Sequence, residues 1–177
     1  MTDNCIICSG PPGSGKTSVL NHLKSGFLVV PEPARRVLSS QRASGGRGTG
    51  DQDPSLFVQL MLKTALSDAE SARESHSLIL FDRGLPDLLA YAGYYSLDSS
   101  ELLRAVETFR YAPNVFWFPA WEEIYATDAE RTMSFHAARE FGERIRSEYR
   151  ARGYNLIEVP CASIFERATF IREQLVS

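Results

Sequence analysis

Short apolar runs alternate with longer segments in which apolar residues recur at helical spacing. Unbroken apolar runs of strand length are typical of strands that are buried on both faces of a parallel sheet. They predict five strands, at residues 5–8, 27–30, 78–81, 114–118 and 154–159. Because helical patterns separate these runs, the sequence predicts an α/β fold with a parallel sheet and helices on both faces.

Capping signals predict where three of the helices begin. Asp53-Pro54 pairs an N-cap residue with a first-turn proline, and Ser163-x-x-Glu166 is a capping box. A second capping box, from Thr127 to Glu130, predicts the start of a long helix that reaches Tyr149. The glycine-rich residues 43–50 are interpreted as a mobile loop. The tyrosines of segment 86–95 are interpreted as packing residues rather than a stacking platform.

Length and charge narrow the functional classes. The 177 residues contain no repeat and no dividing linker, which predicts a single domain over residues 1–177. A net charge of −3 argues against nucleic acid as the main partner. No apolar segment is long enough to cross a membrane, and nothing near Met1 resembles a signal peptide. We therefore expect a cytoplasmic protein with a small-molecule partner; the oligomeric state is left open.

The cysteines and histidines predict no metal or redox site. Cys5 and Cys8 form a C-x-x-C pattern, but residues three apart on a strand face opposite sides of the sheet. They are expected to be small core residues. The three histidines have no metal-ligand spacing.

A phosphate-binding motif follows the first predicted strand. Gly10, Gly15, Lys16 and Thr17 fit G-x-x-x-x-G-K-[ST], between an apolar strand and a helix. Backbone N–H groups of such a loop surround a polyphosphate, the lysine reaches the β- and γ-phosphates, and the hydroxyl binds Mg²⁺. The predicted nucleotide-binding residues are Gly10, Pro11, Pro12, Gly13, Ser14, Gly15, Lys16, Thr17 and Ser18.

Charged residues end the second and third strands, where open α/β sheets bind their ligands. Glu32 follows strand two, and Asp82-Arg83 ends strand three. Asp82 is a candidate Mg²⁺ ligand together with Thr17, usually through water. ATPases that do mechanical work commonly have a glutamate after this aspartate, and here Arg83 stands there. No lysine is followed two residues later by aspartate, so the guanine-reading loop of Ras-like GTPases is missing.

Glu32-Pro33 and Asp82-Arg83 resemble the strand-end motifs of deoxynucleoside kinases. This resemblance implies that Glu32 is the general base for the acceptor hydroxyl and that Arg83 holds the reacting end of the acceptor. Lys16, Glu32, Asp82 and Arg83 are then catalytic candidates. The expected acceptor contacts are Glu32, Arg35, Arg36 and Arg83.

The whole chain also resembles a family of small bacterial AAA-type NTPases, which is similar to the ribosylnicotinamide kinase domain of NAD-synthesis regulators. The segments that carry the resemblance are GPPGSGKT, VVPEPAR, LFDRGLPDLLAY, the run from Trp121 to Arg131, and RATFI. The resemblance implies a P-loop kinase fold with strand order 2-3-1-4-5, a lid over residues 119–139, and a base-bordering loop at residues 160–163. It also implies that Arg131, a further catalytic candidate, stabilises the transferring phosphoryl group.

These observations predict ATP- and Mg²⁺-dependent phosphoryl transfer to a small hydroxyl- or phosphate-bearing acceptor, such as a nucleoside, a nucleotide or a related metabolite. ATP is the expected nucleotide, and GTP remains open. One alternative is a regulatory nucleotide-binding module with slow turnover. Another is a hydrolase, against which the missing glutamate after Asp82 argues.

Overall fold

Five short strands pair side by side in one parallel sheet with the order β2-β3-β1-β4-β5. The computed structural model describes residues 4–127 and 133–176. The strands are β1 (Cys5–Ser9), β2 (Leu28–Val30), β3 (Ile79–Asp82), β4 (Asn114–Trp117) and β5 (Asn155–Glu158). The predicted strand order and parallel pairing are confirmed.

Helices follow each strand. They are α1 (Lys16–Leu23), α2 (Pro33–Ser44), α3 (Pro54–Arg73), α4 (Leu85–Tyr94), α5 (Ser100–Thr108), α6 (Phe135–Ala151) and α7 (Ile164–Val176). Two predicted caps are confirmed. The Asp53 carboxylate accepts from the Leu56 N–H, and Ser163 and Glu166 exchange side chain-to-backbone bonds at the start of α7. These bonds satisfy N–H groups that a helix start leaves without partners.

Two apolar cores lie on opposite faces of the sheet, because successive strand residues alternate in direction. Cys5 and Ile7 belong to the core that includes residues of helices α2 to α6. Ile6 and Cys8 belong to the core beneath α1 and α7. The prediction that the two cysteines face opposite sides is therefore confirmed, and both are buried free thiols.

The strand register brings the polar strand ends together. Cys8 of β1 lies beside Asp82 of β3, so the phosphate loop and the Asp82-Arg83 pair leave the sheet at the same edge. The strands β1 and β3 are wholly buried, whereas Leu28 on the edge strand β2 is 55% exposed. In the described ranges 4–127 and 133–176, no helix is both long and apolar enough to cross a bilayer.

Two local predictions need correction. Helix α6 begins at Phe135, where the Ser134 hydroxyl accepts from the Ala137 N–H, and residues 133–134 are not helical. Most of the predicted capping box lies outside the described residues. The glycine-rich segment begins as helix, because α2 continues to Ser44, and the Gln41 side chain then accepts from the Gly48 N–H. Its mobility stays a prediction.

Candidate functional site

A cleft of about 1010 Å³ opens at the carboxyl edge of the sheet. One end is formed by residues 12–18 of the phosphate loop, and the other by side chains from α2, α3, α4 and α6. The remaining lining residues that bear on function are Glu32, Arg83, Trp121, Ile124, Met133, Ser163 and Arg167. A cleft of this size matches the upper range of small-molecule sites.

The glycines of the phosphate loop permit backbone shapes that side chains would block. Gly15 has φ +80° and forms the N-cap position of α1. A Cβ at Gly10, which has φ +149°, would lie 2.2 Å from the Phe118 carbonyl oxygen. The loop therefore requires glycine both for conformation and for close approach to β4. Gly10 and Pro11 are not on the cleft wall, whereas the other predicted loop residues are.

The Lys16 ammonium is buried inside the loop. Its Nζ donates to the carbonyl oxygens of Gly10 and Pro11, each at 3.2 Å, and to the Ser14 hydroxyl at 3.3 Å. Burial and the nearby charge of Arg83 lower the pKa of Lys16 to about 8. Neutral acceptors alone thus compensate this charge poorly, and a polyphosphate would compensate it better.

Thr17 and Asp82 form a pair at the start of α1. The Thr17 hydroxyl donates to Asp82 Oδ2 at 2.8 Å, while Oδ1 is buried without a hydrogen-bond partner. Burial and the charge of Glu32 raise the pKa of Asp82. An orphaned carboxylate oxygen beside a hydroxyl fits the oxygen ligands that Mg²⁺ prefers. No group of three or more metal-ligating side chains occurs in the described part of the chain, so phosphate oxygens and water would have to complete the shell.

Arg83 connects three elements through its guanidinium. Its Nε donates to Glu32 Oε1 at 2.7 Å, and its Nη1 donates to the Gly10 carbonyl and to Asp87 Oδ1 at 3.0 and 2.8 Å. Arg83 itself adopts φ +74°, a costly conformation for a residue with a Cβ. With this backbone conformation, the side chain reaches Glu32 after β2 and Gly10 after β1.

The Asp87 carboxylate helps to hold the Arg83 guanidinium in place. The same carboxylate accepts from the Ser9 hydroxyl at 2.7 Å and from the Gly84 N–H at 2.9 Å, and it also accepts from the Tyr149 hydroxyl. Asp87 is fully buried, so all of these bonds form in a low-dielectric interior, where they are strong. Sequence analysis did not single out Asp87, although its position four residues after Arg83 is the spacing of a helical ion pair.

Glu32 is held as a carboxylate. Burial opposes its charged form, but the charges of Arg83 and Lys16 outweigh that effect, and the pKa of Glu32 is lowered. Its second oxygen, Oε2, lies 3.4 Å from Arg35 Nε, a longer contact to a side chain that is 41% exposed. Of the two Glu32 oxygens, Oε2 therefore has the longer ion-pair contact and the more exposed partner.

Only one of the two predicted arginines on α2 reaches the cleft. Arg35 lines it, together with Leu38 and Arg42, which lie three and seven residues further along the same helical face. Arg36 is turned about 100° away and binds Asp68 of α3, with its Nη1 2.6 Å from Oδ2. The expectation that Arg36 contacts the acceptor is not supported by this placement.

The far wall of the cleft is aromatic. Phe57, Tyr91, Tyr94, Tyr95 and Phe141 line it, and Tyr94 is 49% exposed. The rings of Tyr94 and Phe141 meet edge to face with centroids 5.6 Å apart. The interpretation of these tyrosines as packing residues is therefore incomplete, because they also present ring surface to the cleft.

Arg167 of α7 is a site residue that sequence analysis missed. Its Nη2 donates to the Ser14 carbonyl at 2.9 Å, and its guanidinium lies over the rings of Phe118 and Trp121. It is 2% exposed and lines the cleft. The only sequence signal was its place at the start of the RATFI segment.

The described part of the predicted lid leaves β4 through a 3₁₀ turn, Glu122–Ile124. Trp121 and Tyr125 are four residues apart, a spacing that would place both rings on the same side of a helical turn, where they could pack as a hinge. Instead Trp121 lies over Arg167, and the Tyr125 ring packs against Phe135 with centroids 5.4 Å apart. Ala162 and Ser163 border the cleft, as expected for the loop after β5. Arg131 lies outside the described residues, so its role stays a prediction.

The sheet order and the loop between β1 and α1 define the P-loop NTPase class. A family model described as an AAA domain matches residues 5–167, and the chain belongs to that family. No curated protein matches the sequence.

Solved kinase structures share the fold. A deoxyadenosine kinase from M. mycoides with bound dATP has a TM-score of 0.62 at 12% identity, covering 98% of this chain and 100% of that one. The same kinase with products dCMP and dCDP gives 0.63 at 11% identity, with 97% and 98% covered. A thymidylate kinase from Ehrlichia chaffeensis gives 0.61 at 14% identity, with 98% of both chains covered.

Proposed function

We propose that this protein is a kinase that transfers a phosphoryl group from ATP, with Mg²⁺, to a small hydroxyl- or phosphate-bearing acceptor, such as a nucleoside, a nucleotide or a related metabolite. The observation that carries the proposal is that one cleft joins the phosphate loop to the Glu32–Arg83 pair and then to an aromatic wall. A hydrolase needs room only for water beyond the phosphates, whereas this cleft extends well past them.

The phosphate loop would bind the triphosphate through its backbone N–H groups, with Lys16 on the β- and γ-phosphates. Thr17 and Asp82 would hold Mg²⁺, which neutralises charge on the transferring group. The orphaned Oδ1 of Asp82 supports this assignment. The fold similarity to a kinase solved with bound dATP supports a nucleotide in this cleft.

Glu32 would take the proton of the acceptor hydroxyl as that oxygen attacks. Its bond to Arg83 keeps one oxygen fixed and leaves Oε2 directed towards the weaker contact with Arg35. A carboxylate with a lowered pKa is a weak base towards an unreacted hydroxyl, but that hydroxyl becomes acidic as its bond to phosphorus forms. Arg83 would hold the reacting end of the acceptor, since its charge also lies close to the loop.

The deciding experiment measures ADP release with and without members of a panel of nucleosides, nucleotides, nicotinamide riboside and aminoglycosides. A kinase releases ADP in proportion to a phosphorylated acceptor, which mass spectrometry identifies. A regulatory module binds ATP or GTP and shows no acceptor effect. A hydrolase releases inorganic phosphate at the same rate with and without the panel.

The lid is tested separately. We expect hydrogen exchange in residues 120–135 to slow when a non-hydrolysable ATP analogue binds, because closure would exclude water from the cleft. Arg131→Ala is expected to lower kcat far more than ATP affinity. Unchanged exchange together with a kinetically silent Arg131→Ala would assign the lid to another segment.

A further inference from the structure

Arg167 is a buried cation with an unusual set of partners. The residue is 2% exposed, yet none of the carboxylates in residues 4–127 and 133–176 lies within ion-pair distance of its guanidinium. Its partners are the Ser14 carbonyl and the rings of Phe118 and Trp121, at 4.7 and 5.5 Å from the ring centroids. Its Nε has no hydrogen-bond partner. A buried charge compensated this weakly needs a reason beyond packing.

The bond to Ser14 fixes the orientation of one peptide group in the phosphate loop. The carbonyl and N–H of a trans peptide point in opposite directions. Because the Ser14 carbonyl is turned towards Arg167, the Gly15 N–H is turned away from it. Gly15 has φ +80°, and a Cβ at this position would lie 2.7 Å from Arg167 Nη1. The absence of a side chain at Gly15 therefore leaves room for the guanidinium.

We propose that Arg167 is a positioning residue of the phosphate loop, which holds the Ser14–Gly15 peptide with its N–H directed to bound phosphate. A cation on the carbonyl polarises the peptide and makes its N–H a stronger donor, since bonds along a hydrogen-bonded chain reinforce one another. The rings of Phe118 and Trp121 hold the planar guanidinium in place. This inference rests on the proposed binding of nucleotide phosphates by the loop.

The test uses inorganic tripolyphosphate, which has phosphates but no base, beside ATP. Both affinities are measured by displacement of a fluorescent ATP analogue from the full chain. In Arg167→Met, which keeps an unbranched apolar stem and removes the charge and donors, both affinities are expected to fall about tenfold, because one charge-assisted bond is lost. Arg172→Met, five residues further along α7, is the matched control and is expected to bind both ligands like wild type.

The pair of ligands separates the outcomes. A tenfold loss for ATP with unchanged tripolyphosphate affinity would overturn the proposal, because it would mean that Arg167 contacts the base. A lower Tm with both affinities unchanged would also overturn it, because it would mean that Arg167 only stabilises the fold. If wild-type protein binds neither ligand, the proposed nucleotide-binding function fails, which is distinguishable from a failure seen only in the variant.

Arg167→Lys provides a second measurement should Arg167→Met fail to fold. Lysine keeps the positive charge and an ammonium group that can donate, but it lacks the planar guanidinium that lies over two rings. We expect tripolyphosphate affinity midway between those of wild type and the loss predicted for methionine. If Arg167→Met does not fold, then wild-type affinity for both ligands in folded Arg167→Lys would overturn the proposal that the guanidinium positions the loop.

Discussion

The two ends of the cleft are built in different ways. The phosphate end consists mainly of backbone from one continuous loop, and its shape depends on glycines such as Gly10 and Gly15. The other end, where the proposed acceptor would bind and which we call the acceptor end, consists of side chains from four helices, with Arg35, Tyr94 and Phe141 on its wall. One end is therefore encoded in a few consecutive residues, and the other depends on how distant segments pack.

This difference explains why the class of reaction is easier to infer than the acceptor. Any loop that offers inward N–H groups and a lysine binds a polyphosphate, whatever the rest of the chain does. An aromatic wall with two arginines accommodates many planar or anionic molecules, and small changes of side chain alter its preference. Variants that affect one end and spare the other can test the division.

The largest effect is expected from Lys16→Ala. It removes the charge directed at the phosphates, and we expect phosphoryl transfer to fall by several orders of magnitude, measured as acceptor-dependent ADP formation. The fold should persist, because the ammonium donates its hydrogen bonds to neutral acceptors and its removal breaks no ion pair among the described residues. Lys63→Ala on α3 is the control. A folded Lys16→Ala protein with near-normal turnover would contradict the P-loop assignment.

The next effect should arise where the two ends meet. Glu32→Gln keeps an acceptor for Arg83 but cannot take a proton, so kcat is expected to fall about 10²–10⁴-fold with ATP affinity nearly unchanged. Asp82→Asn should instead raise the Mg²⁺ concentration needed for half-maximal rate. Asp68→Asn, outside the cleft, serves as the control for charge removal. Full kcat in Glu32→Gln with a verified acceptor would make Glu32 a purely structural partner of Arg83.

The same division marks what could be predicted from sequence. The phosphate loop, Glu32 and Asp82-Arg83 were found because each sits within a few residues of a strand whose apolar pattern is unmistakable. The parallel sheet order came from the resemblance to known kinases rather than from the pattern. Asp87 lay within a recognised segment, but its bond to Ser9 spans 78 residues, which no local pattern contains.

Arg167 and the aromatic wall were missed for a related reason. Arg167 binds Ser14 across 153 residues of sequence, and only packing of α7 against α1 makes that contact. Tyr94 has the helical spacing of a packing residue, and nothing in its neighbours reveals that α4 turns it towards a cleft. Arg36 is the opposite case, a residue that sequence analysis included and the structure places outside the cleft. Two adjacent arginines on a helix cannot both face one side.

A smaller effect is expected at the acceptor end alone. Tyr94→Leu removes the ring of a residue that lines the cleft and is 49% exposed, so stability should change little. Since aromatic pairs contribute about 0.5–1.5 kcal/mol, the acceptor KM is expected to rise about twofold to twelvefold, with the KM for ATP unchanged. Leu103→Ala, an exposed apolar residue on α5, is the matched control. A change confined to the KM for ATP would place Tyr94 in the nucleotide subsite.

The mildest perturbation of the phosphate end is pH. The pKa of Lys16 is lowered to about 8 in the ligand-free loop, and bound phosphates would raise it again. Free protein therefore loses the Lys16 proton as pH rises through 8, and binding must restore it. We expect ATP affinity to fall about tenfold between pH 7 and pH 9, with proton uptake seen by calorimetry in buffers of different ionisation enthalpy.

Lys16→Met is the control for this titration, because it should bind ATP weakly at every pH and show no proton uptake near pH 8. The lowered pKa of Lys16 also determines whether the stability of the ligand-free fold rises or falls with pH. Lys16 has a lower pKa in the folded protein than in the unfolded chain, so the unfolded chain binds more protons between pH 8 and pH 10.5 and the ligand-free fold gains stability as pH rises there. If the ATP affinity of wild type is the same at pH 7 and pH 9, then Lys16 keeps its charge without phosphate. The protein groups around Lys16 would then compensate its charge on their own.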